Sequence, residues 1–331
     1  MTCSSDNSFK ELVSRNRTFI MGIAMILVVL YHQNFENEGV FWDIFHLYGY
    51  WGADLFLFIS GMGIAYSLEK NTTRKYYINR CWRLLPACLI TGIISLAFIR
   101  LRGSMDTLQF PIWFYLTSMT NWYITAIIVY YVVAPFLFAL TKKSGYLFLV
   151  LTIILTLLYL YKVYQFLIPY YYTYRWYVEA TVSHLPVFVF GMYIGIKDVK
   201  SIFIFSFVSA MALFAAVIVT VFVDEINGFI GVGYKYLLVM GAMPFLILLI
   251  NWGRRFCPDR FRKGIEWIGG LTLEIYLLHG FAFEMAERYG ANLINHFRFF
   301  IAIFLSLVMA FCLQQVALQI RLSLEKVVEN H

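Results

Sequence analysis

Long apolar runs alternate with short polar segments along nearly the whole chain. A run of about 20 apolar residues crosses the hydrocarbon layer of a membrane when it forms an α-helix. The pattern therefore predicts an all-α, polytopic integral membrane protein with about ten transmembrane helices. The predicted helices cover residues 18–34, 45–68, 84–100, 121–140, 145–161, 180–196, 201–223, 229–250, 269–286 and 298–320.

Composition agrees with this pattern. Of the 331 residues, 61% are hydrophobic and only 14% are charged, whereas a soluble domain has roughly 45–50% apolar and about 25% charged residues. The loops between the predicted helices are too short for a separate soluble domain. We expect an N-terminal cytoplasmic tail over 1–17, one transmembrane domain over 18–320 and a C-terminal cytoplasmic tail over 321–331.

The formal net charge of +7 is best explained by membrane topology. With the N-terminus inside, most of the 26 lysines and arginines fall in cytoplasmic segments, as the positive-inside rule requires. This distribution predicts that both termini are cytoplasmic, and it makes membrane lipid, not nucleic acid, the expected partner of the basic residues. Basic residues also precede the first apolar run, but no small-x-small cleavage site follows it, so we interpret it as a membrane helix and not a signal peptide.

The five cysteines form no CxxC pair, and none lies in a predicted outer loop. Disulfide bonds and a zinc site are therefore not expected. The sequence predicts no bound metal.

Two histidines interrupt apolar helices. His32 ends the run "MGIAMILVVLYHQNF", and His279 lies in "IGGLTLEIYLLHGF", where Thr272, Tyr276 and His279 follow at i, i+4 and i+7 and share one helix face. Ionisable groups at membrane depth commonly mark functional sites. The alternative is that each histidine only makes a hydrogen bond between helices.

Other charged residues also need partners in the bilayer. Asp54 lies in "WGADLFLFISGMGIAYSL", and its carboxylate serves either a structural ion pair or the site. In the same helix, Gly61 and Gly63 allow close approach of a neighbouring backbone. The basic, aromatic segment "EKNTTRKYYINRCWRLLP" holds Arg80 and Arg83, and we expect it to lie along the membrane surface. Its arginines either bind an anion or only anchor the chain.

Together these motifs resemble the type-three membrane acyltransferases, which O-acylate sugars of bacterial envelope and exported polysaccharides. The resemblance covers nearly the whole chain and is carried by "GIAMILVVLYH", "WGADLFLFISGMGI", "RCWRLLP", "NWYITAII" and "IGGLTLEIYLLHGF". The family's first-helix histidine falls on His32, and its RxxR motif falls on Arg80 and Arg83. The resemblance implies acyl transfer from a cytoplasmic acyl-coenzyme A, most simply acetyl-coenzyme A, to a sugar hydroxyl of a polysaccharide or lipid-linked oligosaccharide in the bacterial cytoplasmic membrane.

The residues suit these roles. Neutral imidazole is a natural base near pH 7, so His32 is the expected general base. His279, Tyr276 and Asp54 are further candidate catalytic residues. Arginine binds phosphate through charge-assisted, bidentate hydrogen bonds, so Arg80 and Arg83 are expected to hold the phosphates of the donor. The acyl-coenzyme A is a substrate, and no permanently bound cofactor is expected.

The sequence departs from the family at Met21, where members usually carry arginine or lysine. Arg17 lies one helical turn earlier on the same face, so we expect it to take over part of the donor contact. Two other functions stay open: a transporter or flippase for a polysaccharide precursor, and a catalytically inactive family member. The sequence leaves the sugar, its hydroxyl and the acyl chain undetermined.

Overall fold

A computed structural model describes residues 8–32, 39, 42–43, 48–101, 111–119, 121–166, 172–197, 207–212, 214–215, 218, 229–290 and 294–329. Within these ranges, side chains are described except at 162–166, 172–176, 229–237 and 324–329. The described part is helical and contains no strand. The prediction of an all-α protein is confirmed.

The principal helices of the described part are α1 (Phe9–Tyr31), α2 (Trp51–Lys70), α3 (Thr73–Leu101), α4 (Ile112–Leu116), α5 (Trp122–Ser144), α6 (Tyr146–Phe166), α7 (Tyr172–Ile196), α8 (Phe229–Arg254), α9 (Asp259–Gly270), α10 (Thr272–Tyr289) and α11 (Asn295–Glu329).

Six helices of the described chain are long and apolar enough to cross a membrane, and they lie at Phe9–Tyr31, Trp51–Lys70, Thr73–Leu101, Trp122–Ser144, Tyr177–Ile196 and Asn295–Ser323. Shorter apolar helices, Tyr146–Tyr161 and Leu238–Arg254, coincide with the fifth and eighth predicted spans. The helix α10 coincides with the ninth predicted span but is not among the six. Most of the seventh, 201–223, lies outside the described residues. The chain is thus a membrane protein, while the total of about ten spans and the sides of the termini stay predictions.

The segment with Arg80 and Arg83 belongs to α3 instead of forming a separate surface element. Thr72 starts this helix, because its Oγ1 accepts a hydrogen bond from the backbone N–H of Lys75. Pro86 lies inside α3, where it removes one backbone hydrogen bond without ending the helix. The two arginines are therefore held by the same helix that enters the apolar bundle.

Helix ends also differ from the predicted bounds. The helix α1 begins at Phe9, inside the predicted N-terminal tail, where Ser8 caps it by accepting a hydrogen bond from the backbone N–H of Glu11. The helix α11 continues to Glu329, inside the predicted C-terminal tail. Polar residues at helix ends carry no hydropathy signal, so the apolar runs mark only part of each helix.

The helix α9 lies in a basic stretch that the sequence marked only as cytoplasmic. It packs against α1 at two glycines. A Cβ on Gly22 would lie 2.1 Å from the Ile265 carbonyl oxygen, and one on Gly269 would lie 1.8 Å from that of Thr18. The two backbones therefore touch, and α9 covers the outer side of α1.

The helix α2 is the centre of the bundle. Most of its residues are buried, and it packs most extensively against α7. A Cβ on Gly61 would lie 2.1 Å from the Phe188 carbonyl oxygen, and one on Gly191 would lie 2.0 Å from that of Phe58. The close approach predicted at Gly61 is confirmed, whereas Gly63 meets only the Arg17 side chain, at 4.0 Å, and no neighbouring backbone. Against its other side, Gly52 meets Ala24 of α1, so α1 and α7 are both fixed relative to α2.

Candidate active site

A cavity of about 50 Å³ opens between α1, α2, α3, α5 and α10. It has room for a few waters or a slender chain. Its lining brings together three arginines predicted as donor contacts, and it also includes Met21 and Tyr276. The arginines are Arg17 of α1 and the pair Arg80 and Arg83 of α3. Residues far apart in sequence thus form one basic site.

Aromatic rings position Arg80. Its guanidinium carbon lies 5.5 Å from the ring centroid of Tyr76 and 5.1 Å from that of Tyr131, distances at which a cation is attracted by the ring faces. The Tyr76 hydroxyl donates a hydrogen bond to the Tyr131 carbonyl oxygen, at 3.2 Å. Arg80 is therefore held in place before any ligand arrives.

The positive charge of the cavity is concentrated. Arg80 and Arg83 both lie close enough to act electrostatically on Arg17. The Nε atoms of Arg17 and Arg80 are buried and have no hydrogen-bond partner in the described structure. Of the described carboxylates, Glu274 of α10 acts on Arg83, so the positive charge is only partly compensated. Buried N–H donors without partners are costly, and an anion such as phosphate would satisfy them.

The two histidines predicted as site residues lie together. The ring centroids of His32 and His279 are 4.7 Å apart with an interplanar angle of 73°. His32 follows the last residue of α1, with its Nδ1 in a partly buried hydrogen bond, whereas His279 in α10 is buried. The end of the first helix and the middle of α10 therefore meet at one point.

Backbone carbonyls fix the tautomers of both rings. The Nδ1 atom of His32 is 2.8 Å from the Val28 carbonyl oxygen, and that of His279 is 2.9 Å from the carbonyl oxygen of Tyr276. A carbonyl can only accept, so each neutral ring carries its proton on Nδ1. Each Nε2 therefore keeps a lone pair that can accept a proton.

Desolvation also favours the neutral form of His32, which lies just outside the candidate span Phe9–Tyr31. The surrounding protein disfavours the charged ring and lowers the pKa of this imidazole, although the hydrogen bond to the Val28 carbonyl acts in the opposite direction. His32 is therefore neutral near pH 7, as a general base must be.

Tyr276 connects the histidines to the basic cavity. Its ring centroid is 5.4 Å from that of His279 and 4.5 Å from that of Tyr123, and both tyrosines line the cavity. The face predicted from Thr272, Tyr276 and His279 is buried. A row of ring contacts thus leads from the lining of the arginine cavity to the two histidine rings.

Asp54 lies beside a histidine that the sequence analysis missed. Its Oδ1 is 3.6 Å from Nε2 of His184 in α7, whose Nδ1 donates to the Ala180 carbonyl oxygen at 2.7 Å. Because Nδ1 already donates, a hydrogen bond between the two groups needs one further proton, on Nε2 or on the carboxyl. The ring of Trp122 lies 4.8 Å from that of His184. The described contacts place Asp54 with His184, not with His32, His279 or an arginine.

Arg17 occupies the position expected from the departure at Met21. Both residues line the basic cavity, and an Arg17 Nη atom lies 4.0 Å from the position of a Cβ on Gly63 of α2. The side chain therefore turns toward α2 and the cavity. Its proposed role in donor binding stays a prediction.

The described residues contain no group of three or more histidine, cysteine or acidic side chains that could hold a metal ion. Four cysteines, Cys81, Cys88, Cys257 and Cys312, are free thiols.

Comparison with protein families gives one match. The model of the acyltransferase 3 family, described as an acyltransferase domain, matches residues 19–314. No curated protein and no solved structure matches the chain significantly.

Proposed function

The chain belongs to the acyltransferase 3 family, and from this premise we propose that it transfers an acyl group, most simply acetyl, from acyl-coenzyme A to a sugar hydroxyl. The acceptor is a polysaccharide or lipid-linked oligosaccharide, and the protein acts in the bacterial cytoplasmic membrane. One observation carries the proposal: a cavity lined by three arginines adjoins, through Tyr276, a pair of neutral histidines with available Nε2 atoms.

The donor enters at the arginines. A phosphate of coenzyme A replaces water at the guanidinium groups and satisfies the buried Nε donors of Arg17 and Arg80. The cavity of about 50 Å³ admits only part of the donor, so the adenosine stays outside. The thioester then points along Tyr276 toward the histidine pair.

The chemistry requires one base. Nε2 of His32 removes the proton of the sugar hydroxyl as its oxygen attacks the thioester carbonyl carbon. A C–O bond forms, the C–S bond breaks, and the coenzyme A thiolate leaves and takes up the proton from the imidazolium. His279 lies against His32 and orients the ring or the hydroxyl. The His32 proton on Nδ1 stays with the Val28 carbonyl throughout, so only Nε2 changes its protonation.

The test uses His32→Ala in the full-length chain. In liposomes with acetyl-coenzyme A, the release of free thiol measures the reaction. In a deletion strain complemented with the variant, NMR of the polysaccharide measures its acylation. Loss of a general base lowers the rate by roughly 10²–10⁴-fold. A His296→Ala variant on α11 would be a poor control because His296 is half-buried and contacts Trp42. The control is therefore Arg74→Ala on α3, outside the cavity.

Normal acylation by a His32→Ala protein that accumulates in the membrane would overturn the proposal. A deletion strain with unchanged acylation but altered polysaccharide export would favour the transporter. An inactive family member would show neither effect.

A further inference from the structure

A second basic cavity lies on the other face of α1. Its volume is about 180 Å³, and it is lined by Leu12, Arg15, Asn16, Asn251, Arg254 and Arg255. At 3.6 residues per turn, Arg15 and Arg17 point in nearly opposite directions from α1, so this cavity is separate from the candidate active site. It lies where α1 begins and α8 ends.

Polar contacts build the floor of this cavity. Asn16 of α1 donates from Nδ2 to Oδ1 of Asn251 in α8, at 2.7 Å. The guanidinium of Arg254 lies 5.8 Å from the ring centroid of Phe19, and its Nη2 donates to Oε1 of Glu266 in α9 at 3.2 Å. Three helices therefore hold the cavity in a defined shape.

The positive charge of the cavity is only partly compensated. Arg15 pairs with Glu11 at 3.7 Å and Arg254 pairs with Glu266 at 3.2 Å, but neither carboxylate lines the cavity. Arg255 makes no ion pair in the described structure, and Nε of Arg254 is buried without a hydrogen-bond partner. The chemistry of guanidinium and amide donors around one space fits a phosphate group.

Exposed aromatic side chains indicate which kind of phosphate compound the cavity binds. Trp252 and Phe256 on either side of the arginines, and Phe261 in α9, are each more than half exposed. Aromatic side chains of this kind concentrate at the headgroup level of a membrane, and basic pockets between membrane helices bind anionic lipid headgroups. Inorganic phosphate would gain nothing from these apolar surfaces.

We propose that the cavity between α1 and α8 binds the phosphate of an anionic phospholipid headgroup, with the acyl chains of the lipid lying beside the exposed aromatic residues. The site is separate from the arginines assigned to the acyl donor, so it does not depend on the proposed reaction. The bound lipid would fix α1, which carries His32 at its other end.

The experiment measures lipid retention by native mass spectrometry on the full-length protein. The probe is phosphatidylglycerol, with phosphatidylcholine as the zwitterionic comparison. A surface charge contributes about fivefold in affinity, so the Arg15→Gln/Arg255→Gln double variant should bind phosphatidylglycerol roughly 25-fold more weakly. Size-exclusion profiles and thermal unfolding in phosphatidylcholine check that the variants fold.

The matched control is Arg260→Gln/Lys263→Gln, which removes two exposed charges of α9 that do not line the cavity. It should retain phosphatidylglycerol at nearly the wild-type affinity. Equal losses in both double variants would mean diffuse attraction to the membrane surface and would overturn the site. Displacement of phosphatidylglycerol by free coenzyme A or inorganic phosphate would also overturn it, because the cavity would then be a soluble phosphate site.

Discussion

Arg80 and Arg83 line the same cavity but are held differently. Arg80 is held by the rings of Tyr76 and Tyr131. Arg83 is exposed, and the charges of Glu274 and Arg17 act on it from nearby. Arg83 therefore depends on its ligand for a fixed geometry. A role in anchoring alone would need only its charge, while a role in phosphate binding needs the planar fork of the guanidinium.

Arg83→Lys separates these two roles. Lysine keeps the charge but loses the bidentate hydrogen bonds, so the KM for acyl-coenzyme A should rise by about tenfold, which corresponds to about 1.4 kcal/mol, with kcat little changed. Steady-state kinetics in liposomes measure both constants. Arg74→Lys, an exposed arginine of the same helix, should leave KM unchanged. If Arg83→Lys and Arg83→Ala both kept the wild-type KM, only anchoring would remain.

Arg17 is the residue that we expect to replace the basic group absent at Met21. The two side chains share the cavity, and Arg17 brings its guanidinium close to Arg80 and Arg83. Three like charges at one place repel each other, so their clustering indicates a site for an anion rather than packing. The cavity thus contains a cation from one helical turn before Met21, and its contact with the donor stays a prediction.

We expect Arg17→Ala to slow acylation at limiting acyl-coenzyme A, because donor binding is weakened. The rate should return to the wild-type value at saturating donor, because the base is intact. Met21→Arg in the same chain should restore part of the rate at limiting donor, since it returns a cation to the cavity. Initial rates over a range of donor concentrations measure both effects. A wild-type rate for Arg17→Ala at every donor concentration would exclude Arg17 from the donor site.

At the scale of helices, glycines determine how closely α2 and α7 pack. Gly61 and Gly191 each face a carbonyl oxygen of the other helix at a distance that leaves no room for a Cβ. This contact holds the Asp54 and His184 pair together. It also sets the position of α2, against which α1 packs at Gly52.

Gly61→Ala should therefore destabilise the protein. In an isolated helix this change favours helix formation by roughly 0.5–1 kcal/mol, but overpacking at a tight contact costs about 1–3 kcal/mol, and the packing cost should win. Thermal unfolding in detergent measures the effect. Gly264→Ala in α9, where a Cβ meets nothing within 4 Å, should be neutral or stabilising. Equal unfolding temperatures for Gly61→Ala and wild type would show that α2 and α7 accommodate the added methyl group without loss of stability, and would contradict this prediction.

Hydropathy predicted the helices well where apolar residues fill them, as in α2 and α5. It failed for polar parts of helices, because these carry no hydrophobic signal. The basic start of α3 was therefore assigned to a surface segment, and α9 was hidden in a stretch interpreted only as a topology signal. Such elements are held by contacts between helices that cannot be read from the sequence. An example is the approach of Gly269 in α9 to Thr18 in α1.

The candidate site was predicted with similar limits. The family motifs pointed to Arg80, Arg83 and His32. The polar face of the ninth predicted helix pointed to His279, and the departure at Met21 pointed to Arg17. The structure brings the three arginines into one cavity and the two histidines into contact. His184 was missed, although it interrupts an apolar run just as His32 does. Its partnership with Asp54 depends on the packing of α7 against α2, which neither residue reveals alone.

Over the whole molecule, the arginine cavity and the second basic cavity both involve the part of α1 before Met21, while His32 follows its last residue. In the proposed acyl transfer from a cytoplasmic donor to an exported sugar, the donor-binding arginines lie toward the cytoplasm and His32 lies closer to the outer side. The proposed function therefore demands one topology: the N-terminal end of α1 and the basic turn between α8 and α9 on the cytoplasmic side. The excess of arginine and lysine there favours the same orientation.

Free cysteines provide a direct test of this orientation. Cys257 lies in the turn between α8 and α9, and Cys312 lies exposed within the apolar part of α11. In variants that keep one cysteine each, a membrane-impermeant maleimide should label Cys257 in inside-out vesicles but not in right-side-out ones, since the charged reagent cannot cross the bilayer. Cys312 should react in neither, because the hydrocarbon layer covers it. Tyr289→Cys, at the exposed end of α10, should show the opposite pattern to Cys257. Labelling of Cys257 in right-side-out vesicles would place the basic cavities on the outer side, where no acyl-coenzyme A is present, and would contradict both the topology and the direction of acyl transfer.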